Sequence, residues 1–162
     1  MNQPKYLIVH HTAAPSHQLL QAIDDYHKDR FNMKSELGWY IGYHYIIRGD
    51  GIVTQCRKDT EEGAHTKRKN LESLGICLTG NFDKGIDTPN EKQINSLRNL
   101  LYEKATQYKI PLSNIVPHRK FSTKSCYGNS LSDNWASKLV LSKFQQLILA
   151  LLDLLQRIKG RS

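Results

Sequence analysis

Tyr6-Leu7-Ile8-Val9-His10-His11-Thr12 is the stretch from which the architecture can be read. Tyr6–Val9 is a short continuous apolar run, the signature of a buried β-strand. Two histidines close it. Adjacent strand residues point to opposite faces, so only one of His10 and His11 can turn toward a given site.

Working outward, residues 17–31 place Leu20, Ile23, His27 and Phe31 on one face of an amphipathic helix. Tyr43-His44-Tyr45-Ile46-Ile47-Arg48, the turn Gly49-Asp50-Gly51 and Ile52-Val53-Thr54-Gln55-Cys56 read as a hairpin, since Asp-Gly between strand-like runs is a strong local turn signal. Leu74–Leu78 is a second apolar strand, closed by Thr79-Gly80-Asn81. Thr88-Pro89-Asn90-Glu91 predicts a helix start in which Thr88 caps, Pro89 takes the first helical position and Glu91 completes a capping box. Ile94, Leu97, Leu101 and Ala105 continue at helical spacing until Ile110-Pro111. Ile115-Val116 is extended and leads into His118, and a last helix runs from near Ser132 or Asp133 to about Lys159. The order β-α-β-β-β-α-β-α implies the α/β class, with a single mixed central sheet and helices packed on its faces.

A length of 162 residues fits one domain, divided as a globular unit over 1–138 and a C-terminal amphipathic helix over 139–162. Hydrophobic content of 39% and aromatic content of 9% exclude a disordered chain. Three cysteines are too few for a disulfide framework; Cys56 and Cys77 read as core residues. Met1-Asn2-Gln3-Pro4-Lys5 and the four apolar residues after it make no secretory signal, and no stretch reaches the ~18 apolar residues of a membrane span, so synthesis in the cytoplasm is expected. The net charge is +8, from 23 Lys and Arg against 15 Asp and Glu. Without a nucleic-acid motif beside those charges, nucleic acid is not expected as a partner; an anionic wall or membrane is the functional alternative to simple solubility.

Pro117-His118-Arg119-Lys120-Phe121-Ser122-Thr123-Lys124-Ser125-Cys126 contains two more candidate ligands. Together His10, His118 and Cys126 offer two imidazoles and a thiolate, a set suited to tetrahedral zinc with the fourth position left for water.

The chain resembles the zinc-dependent N-acetylmuramoyl-L-alanine amidases, the type-2 group that includes phage lysozyme-type endolysins and peptidoglycan recognition proteins. Four motifs match in order over residues 6 to about 135. They are Ile8-Val9-His10-His11-Thr12-Ala13; Ile41-Gly42-Tyr43-His44-Tyr45-Ile46-Ile47 with Gly49-Asp50-Gly51; Gly63-Ala64-His65 with Asn70-Leu71-Glu72-Ser73-Leu74-Gly75-Ile76 and Gly80-Asn81-Phe82; and Pro117-His118-Arg119 with Lys124-Ser125-Cys126. The resemblance implies cleavage of the amide between N-acetylmuramoyl and L-alanine, Zn2+ held by His10, His118 and Cys126, and Tyr43 with Lys124 as the catalytic pair. His65, Trp39 and Asn70 are expected to line the substrate cleft. It further implies an endolysin made in the cytoplasm and released to the wall by a holin-type route. A wall-fragment recycling amidase and a non-catalytic peptidoglycan-binding module are the alternatives.

Two departures from the family pattern stand out. Cys126-Tyr127-Gly128 replaces the common Cys-Pro, and Arg57-Lys58-Asp59-Thr60-Glu61-Glu62 lacks the Gly-Trp element of animal recognition proteins. The C-terminal helix is a separate matter. Leu141, Phe144, Ile148, Leu151, Leu155 and Ile158 repeat at three-four spacing, widened by Val140, Leu147, Leu149, Leu152 and Leu154. Such a face either packs on the domain or meets a second chain or an anionic membrane.

Overall fold

The computed structural model describes residues 3–159. In the last helix the side chains at 142–144, 146, 149–150, 153–157 and 159 fall outside that description, and with them the expected contributions of Phe144, Leu149, Leu154 and Leu155; Gly160-Arg161 lies outside it too.

The elements follow the expected order: β1 Tyr6–His11, α1 Leu20–Phe31, β2 Tyr45–Ile47, β3 Val53–Gln55, β4 Ser73–Leu78, α2 Glu91–Tyr108, β5 Ile115–Pro117 and α3 Trp135–Lys159. The five strands form one mixed sheet in the order β3-β2-β4-β1-β5. β1 is flanked by parallel neighbours, with His10 opposite Cys77 on β4 and Leu7 opposite Ile115 on β5. The hairpin is antiparallel, Ile46 facing Thr54. Parallel pairing buries both faces of the central strands, which is why β1 and β4 read as apolar runs rather than alternating ones.

Side-chain alternation divides the core in two. Leu7, Val9, Leu74, Ile76 and Leu78 pack with Leu97, Leu100 and Leu101 of α2 and with Ala136 and Val140 of α3. On the opposite face Ile46 and Cys77 pack with Ile23 of α1, Ile41 and Cys56, against which Trp39 and Tyr43 lean. Cys56 and Cys77 are wholly buried free thiols. Asp59, just past the hairpin, accepts hydrogen bonds from the hydroxyls of Tyr45 (2.5 Å) and Tyr108 (2.9 Å) and pairs with Lys104 at 3.0 Å, which fixes the hairpin to α2.

Several boundaries differ from the expectation. α2 is capped by Asn90 rather than Thr88. The Asn90 side chain accepts from the Gln93 N–H (3.0 Å), and the Gln93 side chain accepts from the Asn90 N–H, so Gln93 and not Glu91 completes the capping box. Gln93 is drawn into that role because its amide also donates to the buried Thr79 carbonyl (2.7 Å). α1 begins at Leu20 instead of His17, after a turn in which Gln18 N–H bonds the Pro15 carbonyl. The first hairpin strand begins at Tyr45, because the backbone of His44 bonds Gly75 and Cys56, leaving Tyr43 in the connecting segment. α3 begins at Trp135, after the expected start near Ser132 or Asp133.

Candidate metal and catalytic centre

His10 occupies the α1 side of β1, and His11 turns to the other side. The two rings therefore serve different tasks. His11 Nδ1 accepts the Phe82 N–H (3.0 Å), pinning the chain after β4, while His10 is 1% exposed and faces the cluster expected from the motifs. His118 enters from the short 3-10 turn His118–Phe121 that follows β5, its ring centroid 4.6 Å from that of His10. Cys126 arrives on the loop beyond it, with Sγ 3.6 Å from His10 Nδ1. The ligand atoms of His10, His118 and Cys126 all lie within 4.8 Å of one another.

Arg119 shapes the loop that carries Cys126. Its backbone N–H bonds the Cys126 carbonyl (2.7 Å), while its guanidinium donates to the carbonyls of Gly128 (2.7 Å) and Leu131 (2.6 Å) and pairs with Asp133. Where the family commonly has proline, Tyr127 is fully buried, edge-on to Trp135, and its hydroxyl donates to the Ser132 carbonyl at 2.8 Å. Gly128 follows at φ +101°, and a Cβ there would meet the Phe82 carbonyl oxygen at 2.2 Å.

Behind His10 lies a layer of polar groups. His65 Nδ1 is 3.1 Å from His10 Nε2 and 3.0 Å from Thr66 Oγ1. The Asn70 side-chain oxygen accepts from the backbone N–H groups of both His65 (3.0 Å) and Thr66 (2.8 Å). His65 packs so tightly on β4 that a Cβ at Gly75 would stand 2.6 Å from its ring.

Tyr43 sits between His10 (ring centroids 5.0 Å) and His27 (5.2 Å). Lys124 is exposed at the rim, close enough to act electrostatically on both His118 and Cys126. Trp39 packs at the edge of the α1-side core, ahead of Tyr43 in the chain. The structure thus brings His10, His118, Cys126, Tyr43, His65 and Lys124 together; Asn70 supports the His65 loop from beneath.

Several contributing roles were not read from the sequence, which placed His27 on the inward face of its helix and gave it no task. His27 accepts the Gly42 N–H at Nδ1 (2.7 Å), and Asp24 accepts those of Tyr40 (2.5 Å) and Ile41 (3.0 Å). Arg57 is 2% exposed and donates to the carbonyls of Ile41 (2.8 Å), Met33 and Glu62. These groups hold the segment that presents Tyr43. The only signal was a histidine and an aspartate on the inward side of an amphipathic helix.

Electrostatically the cluster is kept neutral. Burial is the main force holding His10 well below the usual imidazole range, with the neighbouring His65 and His118 adding to it. Burial also lowers His118, assisted by Lys124. The Cys126 thiol is pushed up to about 11 by burial, against the opposing pull of the His11 N–H and Lys124. Tyr43 is raised well above the ordinary phenol value by burial and by Cys77 and Cys126 nearby, so it stays a protonated donor. Two neutral imidazoles and a thiol that needs a cation to ionise match the demands of a borderline-soft divalent metal.

The N-acetylmuramoyl-L-alanine amidase family model (Amidase_2) matches residues 1–129. Peptidoglycan-recognition protein SC1a of Drosophila melanogaster is 32% identical over 139 residues, covering 80% of this chain and 71% of that protein. An endolysin of Klebsiella phage KP32 is 38% identical over 104 residues, covering 62% and 68% respectively. Among solved structures, the N-acetylmuramoyl-L-alanine amidase LysC from Clostridium intestinale URNW superposes with a TM-score of 0.71 at 28% identity, over 89% of this chain and 87% of that one. The Ph2119 endolysin from the Thermus scotoductus MAT2119 bacteriophage follows at 0.70 and 28%, covering 85% and 84%.

Proposed function

The chain belongs to the N-acetylmuramoyl-L-alanine amidase family, and on that premise we propose that it is a zinc hydrolase of bacterial peptidoglycan, cutting the amide between the N-acetylmuramoyl lactyl group and L-alanine. The observation that carries this reading is the convergence of His10, His118 and Cys126 within 4.8 Å. His10 and His118 would hold Zn2+ through ring nitrogens and Cys126 through sulfur. Bound there, zinc supplies a Lewis acid and a water of lowered pKa.

The remaining chemistry belongs to the side chains. An amide is a weak electrophile with a poor leaving group, so negative charge on its oxygen must be stabilised and a proton delivered to its nitrogen. Lys124, at the rim beside His118 and Cys126, provides a cation for the developing oxyanion. Tyr43, kept as a neutral phenol, hydrogen-bonds the attacking water or the substrate carbonyl. His11 donates its backbone N–H to Cys126 Sγ at 3.4 Å, which favours the thiolate. His65 holds the His10 ring, Asn70 holds His65, and Trp39 flanks the sugar-peptide chain. Action on the wall after holin-type release fits the similarity to phage endolysins.

The test is a purified sample incubated with cell walls with and without a chelator, followed by mass spectrometry of the soluble products. Free N-terminal L-alanine on stem peptides, lost with the metal and restored by zinc, is the expected result. Wall binding without new amine termini would instead make the chain a recognition module.

A further inference from the structure

Beyond Val140 every described side chain of α3 is exposed. Ala136 and Val140 are wholly buried against α2 and the sheet, yet Ile158, about five turns further along and pointing the same way as Val140, is 59% exposed. Leu141, Leu147, Ile148, Leu151 and Leu152 are exposed as well, Ile148 by 57% and Leu151 by 55%. At ~100° per residue these six fall within one arc of about 140°, with the exposed Gln145 at its border and the exposed Lys138 beyond it. An arc of that width is broader than the two-residue seam of a coiled coil, so one partner helix would leave part of it in water.

Charge decides between the possible occupants. From Trp135 to its end the chain carries Lys138, Lys143, Arg157, Lys159 and Arg161 against a single acid, Asp153. A second copy would bring another +8 toward the first, whereas an anionic lipid surface is complementary to it. Among the described residues no helix is long and apolar enough to cross a membrane. Along the sequence of α3, Lys143, Gln145, Gln146, Asp153 and Gln156 interrupt the apolar run well short of the ~18 residues of a span, a pattern that suits a helix lying in an interface.

We propose that the distal half of α3 docks in the plane of an anionic membrane, with the arc from Leu141 to Ile158 in the headgroup–acyl boundary. The helix lies on the opposite face of the sheet from His10, Tyr43 and His65, so docking leaves the amidase cleft in water. The inference does not rest on the hydrolytic reading, because its test reads binding alone.

That test is co-sedimentation of the full chain with phosphatidylcholine vesicles and with vesicles containing half phosphatidylglycerol. The expected result is binding to the anionic vesicles that weakens with salt and is at least about tenfold poorer to neutral ones. The triple variant Ile148→Gln, Leu151→Gln, Leu152→Gln alters only exposed positions; it is expected to keep the parental melting temperature and lose at least about tenfold in vesicle affinity. R157Q/K159Q is expected to lose the preference for anionic lipid. Failure of the full chain to bind anionic vesicles, or unchanged binding by the triple variant, overturns the proposal. So does a concentration-dependent oligomer in light scattering that the triple variant abolishes without any vesicle binding, which would assign the arc to a second copy.

Discussion

His65 and His10 meet edge to face behind the donor cluster, with His65 Nδ1 3.1 Å from His10 Nε2. His10 Nδ1 is the nitrogen turned toward the Cys126 sulfur. With Nδ1 on a metal, Nε2 would carry the proton and donate it to His65, so the contact would favour the tautomer in which His10 can ligate.

His65→Ala is accordingly expected to weaken zinc binding about 10- to 100-fold, measured by competition with a chromophoric chelator on samples shown by circular dichroism to be folded without metal. Unchanged affinity would show that the contact does not orient the ligand.

His10→Ala, His118→Ala and Cys126→Ser should each abolish stoichiometric zinc and wall hydrolysis. The metal-dependent gain in melting temperature should vanish with them, since binding energy at a site built from distant segments is folding energy. Full activity in any one of the three would refute the ligand set.

Lys124→Ala and Tyr43→Phe should retain zinc and wall binding while turnover falls roughly 10²- to 10³-fold, the range typical of removing a single group that acts in the transition state. Metal analysis and initial rates on the same samples separate this outcome from loss of the site.

Stability should fall in mild acid for a reason outside the catalytic groups. Burial lowers His27 and His44 to about 4 each, and both use Nδ1 as an acceptor, for Gly42 and Gly75 N–H respectively. The unfolded chain protonates both near 6.5, before the folded one does, so stability is full above that pH and drains as pH drops toward 4. Urea midpoints at pH 7, 5.5 and 4.5 measure the slope, and His27→Gln should flatten part of it.

The strands were legible in the sequence because a doubly buried parallel strand must be apolar throughout, as Tyr6–Val9 and Leu74–Leu78 are. The start of α2 was not, because Thr88-Pro89 and Asn90 both satisfy local capping rules; the tie is broken by Gln93 reaching Thr79, a contact distant in sequence. Alternation showed that His10 and His11 must part company, but the strand pattern holds nothing to say which face receives His118 and Cys126. Resemblance to a family supplied that choice. His27 was placed on the inward face of its helix without a partner to assign to it, while Asp24 and Arg57 stayed hidden because polar groups on an amphipathic helix or after a hairpin usually face water. Their inward use depends on the irregular segment before Tyr43, whose backbone N–H and C=O groups have no ladder to join.

The position of β1 in the middle of the sheet has a cost in time. Its first residues are synthesised long before either neighbour: β4 ends at Leu78, β5 starts at Ile115, and Cys126 lies 116 residues from His10. At ribosomal rates the gap to β5 lasts on the order of ten seconds; until β4 is made Leu7-Ile8-Val9 has nothing to pair with, and after that one of its edges stays open. Nascent chains arrested before residue 115 should therefore recruit holdase chaperones, and the metal centre can form only after the sheet has closed around its earliest strand.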